Sequence, residues 1–244
     1  MRLAIKNSTD FSGEILNYRK DGTIFWNYLT ISPVRNESGK LAQYIGVTRD
    51  ITEHKLMEDQ VLQLAFYDPL TKLANRRLLN DRLGQAMNAS KRSACYIALM
   101  FLDLDNFKPL NDTHGHVVGD LLLIEAAARI KSCVREVDTV ARFGGDEFVV
   151  MLGELKIDKT ASDLQARNIA EKICAALFKP YFLTISSDGK TDVTVEHHCS
   201  ASIGVIVFTD HEGSQDELLG MADSAMYLAK EGGRNQIHFS SQEG

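Results

Sequence analysis

The most constraining feature of the sequence is a nearly continuous apolar run, ACYIALMFLDLD at residues 94–105, that ends in acidic residues. Such a run predicts a strand that is buried on both faces of a sheet. Because the carboxyl end of a buried central strand often opens into a ligand site, we expect Asp103 to lie in one. From about Tyr67 onward, helical segments alternate with apolar strands, which predicts an α/β or α+β domain with a covered sheet.

A second acidic feature is the stretch ARFGGDEFVVML at residues 141–152, where TVARF and FVVML read as two strands of a hairpin. One interpretation is a plain turn with solvated acids, since Gly144 and Gly145 permit a positive φ. The other is that the glycines let a ligand approach closely. Asp146 and Glu147 would then share a sheet edge with Asp103, if the strands are neighbours. Mg²⁺ suits such a set, because it prefers oxygen ligands and usually binds one or two carboxylates plus substrate phosphates.

Further polar residues fit a bound nucleotide. Asn106, Phe107 and Lys108 follow the apolar run and offer backbone N–H groups and an ammonium to phosphates. Lys230 and Arg234 flank a predicted helix end, where a lysine is also explained by the helix dipole alone. Asp120 lies near the start of an apolar helix, as a dipole-stabilised acid or as a hydrogen-bond acceptor for a purine edge.

Composition excludes several classes of function. The formal net charge of −6 argues against binding of a nucleic-acid polymer. No apolar run approaches the roughly 20 residues that span a bilayer, so we expect no membrane segment and a cytoplasmic chain. The four cysteines are widely separated, which fits a reduced protein better than a disulfide framework.

The sequence divides into three regions. Residues 1–50 contain three segments rich in β-branched and aromatic residues, separated by Asp21-Gly22 and Ser38-Gly39, and predict short strands. Residues 51–66 lack glycine and proline and have apolar residues at helical spacing, which predicts a connecting helix. Residues 67–244 form the main domain, with helices expected at 117–135, 164–178 and 215–231 and an exposed hairpin arm at 186–192.

The main domain resembles the GGDEF domains of diguanylate cyclases. The resemblance is carried by DPLTKLANR, FLDLDNFKPLNDTHGHVVGD, ARFGGDEF, SASIGV and MYLAKEGGRN, which occur in the family's order between Tyr67 and Asn235. It implies an α+β fold with a polymerase-palm-like, mostly antiparallel central sheet surrounded by helices. It also implies condensation of two GTP molecules into cyclic di-GMP with release of two pyrophosphates.

The resemblance assigns a role to each matching position. Asp103, Asp146 and the Leu104 carbonyl would hold Mg²⁺ or Mn²⁺, and Glu147 would bind a second cation or help to activate the ribose 3′-hydroxyl. Guanine would be bound by Asn111 and Asp120. The phosphates would be held by Asn106, Phe107, Lys108, Lys230 and Arg234, with Gly144 and Gly145 allowing close approach. One chain holds one GTP, so the reaction implies two sites face to face in a homodimer.

A regulatory site is implied by Arg135-Glu136-Val137-Asp138, which is similar to the family's RxxD inhibitory site. Arg135 and Asp138 would bind the cyclic di-GMP product, and Arg167 is a candidate second arginine from the next helix. By itself, RxxD more often marks a solvated helix end. A non-catalytic receptor that binds cyclic di-GMP or GTP is therefore the alternative to an active cyclase.

The first region resembles the C-terminal part of a LOV-like PAS domain. The stretch from NYRKDGTIFWNYL to GVTRDITEHK ends in the DIT motif that leads into a signalling helix. The earlier strands of such a domain, including the segment where a flavin-attaching cysteine lies, would precede Met1. We therefore expect a partial PAS sheet from a longer sensor and assign no flavin to it.

Overall fold

The computed structural model describes residues 1–185, 193–209 and 213–240. The chain separates into two compact units, Met1–Leu64 and Ala65–Gly244. The predicted hairpin arm at 186–192 lies outside the described residues. Within those residues, we find no helix that is both long and apolar enough to cross a membrane.

The first unit contains a three-stranded antiparallel sheet in the order β1-β2-β3. Its strands are β1 (Phe11–Tyr18), β2 (Ile24–Arg35) and β3 (Leu41–Asp50), preceded by a short helix α1 (Arg2–Asn7) that the sequence analysis did not predict. Gly22 and Gly39 lie in the two connections with φ of 86° and 78°. These left-handed angles favour glycine. The glycine turns separate the three strands, which is why their approximate limits could be predicted from the sequence.

The connecting helix α2 (Thr52–Phe66) agrees with the predicted span. At its start, the Asp50 carboxylate accepts hydrogen bonds from the Thr52 hydroxyl at 2.6 Å and the Thr52 N–H at 3.0 Å. These bonds stabilise the ionised form and lower the pKa of Asp50 to about 2. No residue of α2 is buried; its apolar side chains from Leu56 to Leu64 are exposed, and Ala65 and Phe66 are half-buried.

The second unit is a mixed α+β domain whose elements alternate along the chain. They are α3 (Arg76–Ser93), β4 (Ile97–Leu104), α4 (Phe107–His114), α5 (His116–Cys133), β5 (Thr139–Gly144), β6 (Glu147–Leu152), α6 (Lys159–Leu177), β7 (Tyr181–Ile185), β8 (Val193–His197), β9 (Ala201–Phe208), α7 (Gln215–Glu231) and β10 (Ile237–Phe239). Two predicted helices differ at their ends: α5 stops at Cys133, and α6 starts early because the Asp158 carboxylate caps it by accepting from the Ala161 N–H at 2.7 Å.

The central sheet has the strand order β10-β9-β4-β6-β5. All neighbouring pairs are antiparallel except β10 and β9, which are parallel. Every residue of β4 is buried, as the apolar run predicts. The mostly antiparallel sheet expected from the resemblance is confirmed.

Helices cover both faces of this sheet. Ala98, Met100 and Leu102 of β4 face a core shared with α5 and α6. The alternate residues Leu99 and Phe101 face a second core shared with α3 and α7. Burial of each large apolar side chain contributes roughly 1.5–3 kcal/mol. The two cores hold β4 in place and leave its carboxyl end, with Asp103, at the edge where the site lies.

Candidate functional site

The two acidic strand ends lie side by side. β4 and β6 are antiparallel neighbours, and Asp103 is the register partner of Glu147. The Leu104 N–H donates to the Asp146 carbonyl at 3.2 Å. The condition set in the sequence analysis, that these strands be neighbours, is therefore met, and Asp103, Asp146 and Glu147 share one edge of the sheet.

The tip of the β5–β6 hairpin has a conformation that requires glycine. Gly144 and Gly145 have φ of 153° and 51°, and no atom lies within 4 Å of a Cβ placed on either. Arg142 holds the tip, because its Nε and Nη2 donate to the Gly145 carbonyl at 3.0 and 2.8 Å. The tip is a turn with open space above its backbone, which is compatible with close approach of a ligand.

Arg142 also links the hairpin to the segment that follows α2. Its Nη1 lies 3.2 Å from both oxygens of Asp68. Burial opposes ionisation of Asp68, but the hydrogen bonds from Thr71 and the charge of Arg142 outweigh it, so the pKa of Asp68 is lowered. The hairpin position thus depends on a partly buried ion pair that the sequence analysis did not single out.

Asp103 has an ammonium as its partner. Lys230 Nζ, from the last turn of α7, lies 2.7 Å from Asp103 Oδ2, and the Asp103 side chain is only 10% exposed. Burial raises the pKa of Asp103 to about 6; Lys230 opposes the rise, and the charges of Asp146 and Glu147 add to it. The pKa of Glu147 is raised by burial and by the charges of Asp223 and Asp146. This edge of the sheet therefore has an excess of negative charge, which a bound cation would neutralise.

These oxygen donors fit a hard divalent cation. Among the described residues, no three His, Cys, Asp or Glu side chains are close enough together to hold a metal by themselves. Mg²⁺ does not need such a cage, since it is commonly bound by one or two carboxylates and by substrate phosphates. The crowded carboxylates of Asp103 and Asp146 match that mode of binding, with the second carboxylate in the turn directly before the neighbouring strand β6.

The segment after β4 turns sharply into a helix. Asn106 has a φ of 60° and precedes α4, and its side chain makes no capping hydrogen bond. Phe107 and Lys108 are the first residues of α4, where backbone N–H groups lack partners within the helix. Backbone N–H groups and the Lys108 ammonium were expected here as phosphate-binding groups, but the helical form of α4 was not predicted.

Asn111 and Asp120 come from adjacent helices. The Asn111 Oδ1 atom is buried and has no hydrogen-bond partner. It lies against Gly119, where an added Cβ would be 1.9 Å away. Asp120, the next residue of α5, is exposed. A buried polar atom without a partner is costly unless something else supplies a donor.

The turn after α7 carries the remaining predicted cation. Gly233, Arg234 and Asn235 all have positive φ, of 119°, 64° and 48°. The Arg234 N–H donates to the Ala229 carbonyl at 3.1 Å, which ends α7. Lys230 and Arg234 thus lie on the two sides of the same helix end, as predicted.

The RxxD residues form a tight pair beside a groove. Asp138 accepts from the Arg135 N–H, Nε and Nη2 at 3.0, 3.1 and 2.9 Å. The Asp138 side chain is 2% exposed, whereas that of Arg135 is 51% exposed. The adjoining groove has a volume of about 840 Å³ and is also lined by Arg82 and Arg92 of α3. Asp138 therefore fixes the arginine, and the guanidinium remains accessible.

Comparison with known proteins identifies this arrangement. Residues 65–236 match the family described as diguanylate cyclase, GGDEF domain, and residues 1–53 match the PAS domain family. The chain belongs to the diguanylate cyclase, GGDEF domain family. Both resemblances found in the sequence are therefore confirmed.

One curated relative of this GGDEF chain is the bifunctional diguanylate cyclase/cyclic di-GMP phosphodiesterase MucR of Pseudomonas aeruginosa. It is 43% identical over 180 residues, which are 74% of this chain and 24% of MucR. The chain thus spans about a quarter of this relative, so the activity of the whole protein is a proposal.

Two solved structures support the fold. The GGDEF domain of TpbB from Pseudomonas aeruginosa is 38% identical, with a TM-score of 0.62, and the match covers 72% of this chain and 94% of that one. The coiled coil and GGDEF domain of DgcB from Caulobacter crescentus, in complex with c-di-GMP, is 27% identical, with a TM-score of 0.65 over 78% and 93% of the two chains.

Arg167, the candidate second arginine of the product site, contacts an aromatic ring instead. Arg167 belongs to α6, and its guanidinium carbon lies 4.3 Å from the centre of the Phe239 ring. It is not among the residues that line the groove at Arg135. Its assignment to the product site therefore has no support from contacts within one chain.

Asp105, which is 3% exposed, was not among the residues predicted from the sequence. Its carboxylate accepts hydrogen bonds from the start of β9 and from the turn after α7. The signal that could have found it is its position at the end of the apolar run, since an acid beside a buried strand needs partners.

Proposed function

We propose that the chain is a diguanylate cyclase that condenses two GTP molecules into cyclic di-GMP in a Mg²⁺-dependent reaction. The observation that carries this proposal is the buried Asp103 carboxylate, paired with Lys230 and placed beside Glu147 of the neighbouring strand and Asp146 directly before it. Transfer to an α-phosphate needs positioning and neutralisation of charge, and this edge offers acids for a cation and an ammonium for a phosphate.

The proposed chemistry is a pair of nucleotidyl transfers. The 3′-oxygen of one GTP forms a bond to the α-phosphorus of the other, and the bond to the β-phosphate oxygen breaks to release pyrophosphate. A second, reciprocal transfer closes the ring. Because each chain supplies one nucleotide site, the two reacting GTP molecules require two chains arranged with two-fold symmetry.

The residues of the proposed site have separate roles. Asp103, Asp146 and the Leu104 carbonyl would hold Mg²⁺, which when bound neutralises the triphosphate and steadies the attacking and leaving oxygens. Lys230 partly neutralises the Asp103 carboxylate by pairing with it. Together with Lys108 and Arg234, it would also neutralise the phosphates. Glu147, whose pKa is raised, is suited to accept the proton of the attacking hydroxyl.

Guanine selection would rest on Asn111 and Asp120. The buried Asn111 Oδ1 has no hydrogen-bond partner, which is unfavourable for stability. A donor on the base edge would supply the missing hydrogen bond. The exposed Asp120 carboxylate can accept two N–H groups from guanine, whereas adenine presents a different donor pattern. This assignment predicts that GTP is preferred over ATP.

Product inhibition would act at the groove beside Arg135. The groove is large enough for a dinucleotide, and its three arginines, Arg82, Arg92 and Arg135, outnumber the two acids Glu136 and Glu154, which suits phosphates. The same groove favours the second candidate function, a receptor that binds cyclic di-GMP without making it. The two candidates differ in whether the acidic edge turns over GTP.

The deciding experiment is chromatography of the products after incubation with GTP and Mg²⁺. We expect cyclic di-GMP and pyrophosphate from the wild type, at least about a hundredfold less from Asp146→Ala, and turnover with weaker product inhibition from Arg135→Ala. Calorimetry of cyclic di-GMP binding is the matched control, because Asp146→Ala should keep the affinity of the groove. Absence of product from dimeric wild type contradicts the cyclase, and retained binding would then support the receptor.

A further inference from the structure

Asp105 is a buried carboxylate that lies outside the metal-binding and phosphate-binding groups of the proposed reaction. It directly follows β4, two residues after Asp103, and is 3% exposed. Burial of a charged group is costly unless hydrogen bonds replace the water that it loses. The role of Asp105 can therefore be inferred from the groups that donate hydrogen bonds to its carboxylate oxygens.

Three neutral donors from two other segments surround this carboxylate. Oδ2 accepts from the Ser200 hydroxyl at 2.6 Å and from the Asn235 N–H at 3.1 Å. Oδ1 accepts from the Ser202 hydroxyl at 2.8 Å. The Asp105 N–H donates to the Ser200 carbonyl at 2.8 Å. One side chain thus joins the end of β4, the start of β9 and the turn after α7.

The turn held by Asp105 has an unfavourable backbone conformation. Gly233, Arg234 and Asn235 have positive φ in succession, and two of the three carry side chains. A left-handed residue other than glycine costs on the order of 1–2 kcal/mol and persists only where neighbouring contacts hold it. The hydrogen bond from the Asn235 N–H to Asp105 is such a contact, and Arg234 lies directly before it.

We propose that Asp105 is a positioning residue for nucleotidyl transfer, whose carboxylate holds the 233–235 turn, and with it Arg234, at a fixed place relative to Asp103. The inference rests on the proposed function, since Arg234 and Asp103 are its phosphate-binding and metal-binding groups. Asp105 acts through these groups and does not touch the substrate.

Three variants separate geometry from charge. Asp105→Asn keeps an oxygen that can accept from the Asn235 N–H, while its amide NH₂ can donate to the Ser202 hydroxyl. Asp105→Ala removes every acceptor, and Asp105→Glu keeps the charge but displaces it by one methylene. We expect Asp105→Ala and Asp105→Glu to raise the KM for GTP roughly tenfold or more, and Asp105→Asn and the control Ser202→Ala to stay within about threefold.

A double-mutant cycle with Arg234→Ala tests whether Asp105 acts through Arg234. If it does, Asp105→Ala should add little to Arg234→Ala, because the group that it positions is already absent. Multiplicative effects on the KM would overturn the inference. An active Asp105→Glu with an inactive, folded Asp105→Asn would also overturn it, since charge and not position would then be required.

Amide hydrogen exchange gives a readout that does not depend on turnover. Asp105→Ala, or Asp105→Glu should the alanine variant not fold, should speed exchange of the Asn235 amide at least about tenfold, with β4 unchanged. Arg234→Ala, which leaves that hydrogen bond in place, is the control. An Asn235 amide that stays protected contradicts this inference alone. A wild type that makes no product contradicts the proposed function, together with the catalytic part of the inference.

Discussion

Gly119 shows how a single residue decides the position of a candidate guanine-binding side chain, that of Asn111. It lies on the face of α5 that meets α4, and the Asn111 side chain occupies the place where a Cβ would be. The sequence marked Asn111 and Asp120 as candidates by resemblance, but it gave no reason for the glycine between them. The reason is steric and becomes visible only when two helices are in contact.

Gly119→Ala should therefore weaken GTP binding more than it slows chemistry. The new methyl group would collide with Asn111 and displace it, so we expect the KM for GTP to rise roughly tenfold and kcat to change less. Steady-state kinetics measures this split. Gly220→Ala on α7 is the matched control, because no atom lies within 4 Å of the added Cβ. Equal kinetics for the two variants would contradict the assignment of Asn111.

At the scale of elements, the β5–β6 hairpin depends on a contact from outside the sheet. Arg142 bridges the Gly145 carbonyl at the tip and the Asp68 carboxylate in the segment after α2. Local sequence determined the hairpin, since two apolar runs flank a glycine turn. The orientation of its tip follows from a long-range ion pair between side chains that are 13% and 16% exposed.

The Asp68 carboxylate, held by hydrogen bonds from Thr71 and by the charge of Arg142, predicts a specific dependence of stability on pH. Because the pKa of Asp68 is lowered in the folded protein, its contribution is fully present above its unfolded value of about 4. The contribution is lost as the pH falls through the folded value. Asp68→Asn should thus cost about 1–3 kcal/mol at pH 7 and progressively less below pH ~4.

Hydrogen exchange of the β5 and β6 amides measures this difference within the second unit. Fluorescence of the single tryptophan is unsuitable, because Trp26 lies in the first unit. Asp21→Asn, which alters an exposed acid of the first unit, serves as the control and should leave β5 and β6 unchanged. A cost of Asp68→Asn that is the same from pH 3 to 7 would show that the carboxylate charge does not matter.

At the scale of the whole molecule, the acidic edge of one chain supplies one nucleotide site in the proposed reaction. Two sites must then meet before a bond can form. We expect cyclic di-GMP production per chain to rise in proportion to protein concentration at high dilution and to level off once the dimer dominates. Turnover over about a hundredfold range of concentration, with sedimentation at the same concentrations, measures this. A constant rate per chain from a monomer would contradict a two-chain site.

The sequence alone determined the family, the strands of the first unit, the helix after them, and the central strand and hairpin of the second unit. A buried apolar run specifies a central strand and glycine turns specify hairpins, because these depend on local backbone preference and hydrophobic pattern. The same patterns missed α1 and the helical form of α4, since short helices depend on tertiary contacts more than on propensity. They also assigned no span to α3 or β10.

Only the tertiary structure decided which polar groups meet. The pairing of Lys230 with Asp103, the three donors on Asp105, the contact of Asn111 with Gly119 and the link from Arg142 to Asp68 all join residues from separate elements. It also placed Arg167 against the Phe239 ring and not in the lining of the groove at Arg135. The physical reason is that side-chain hydrogen bonds and steric fit act over a few ångströms, and sequence separation does not reveal which side chains come that close.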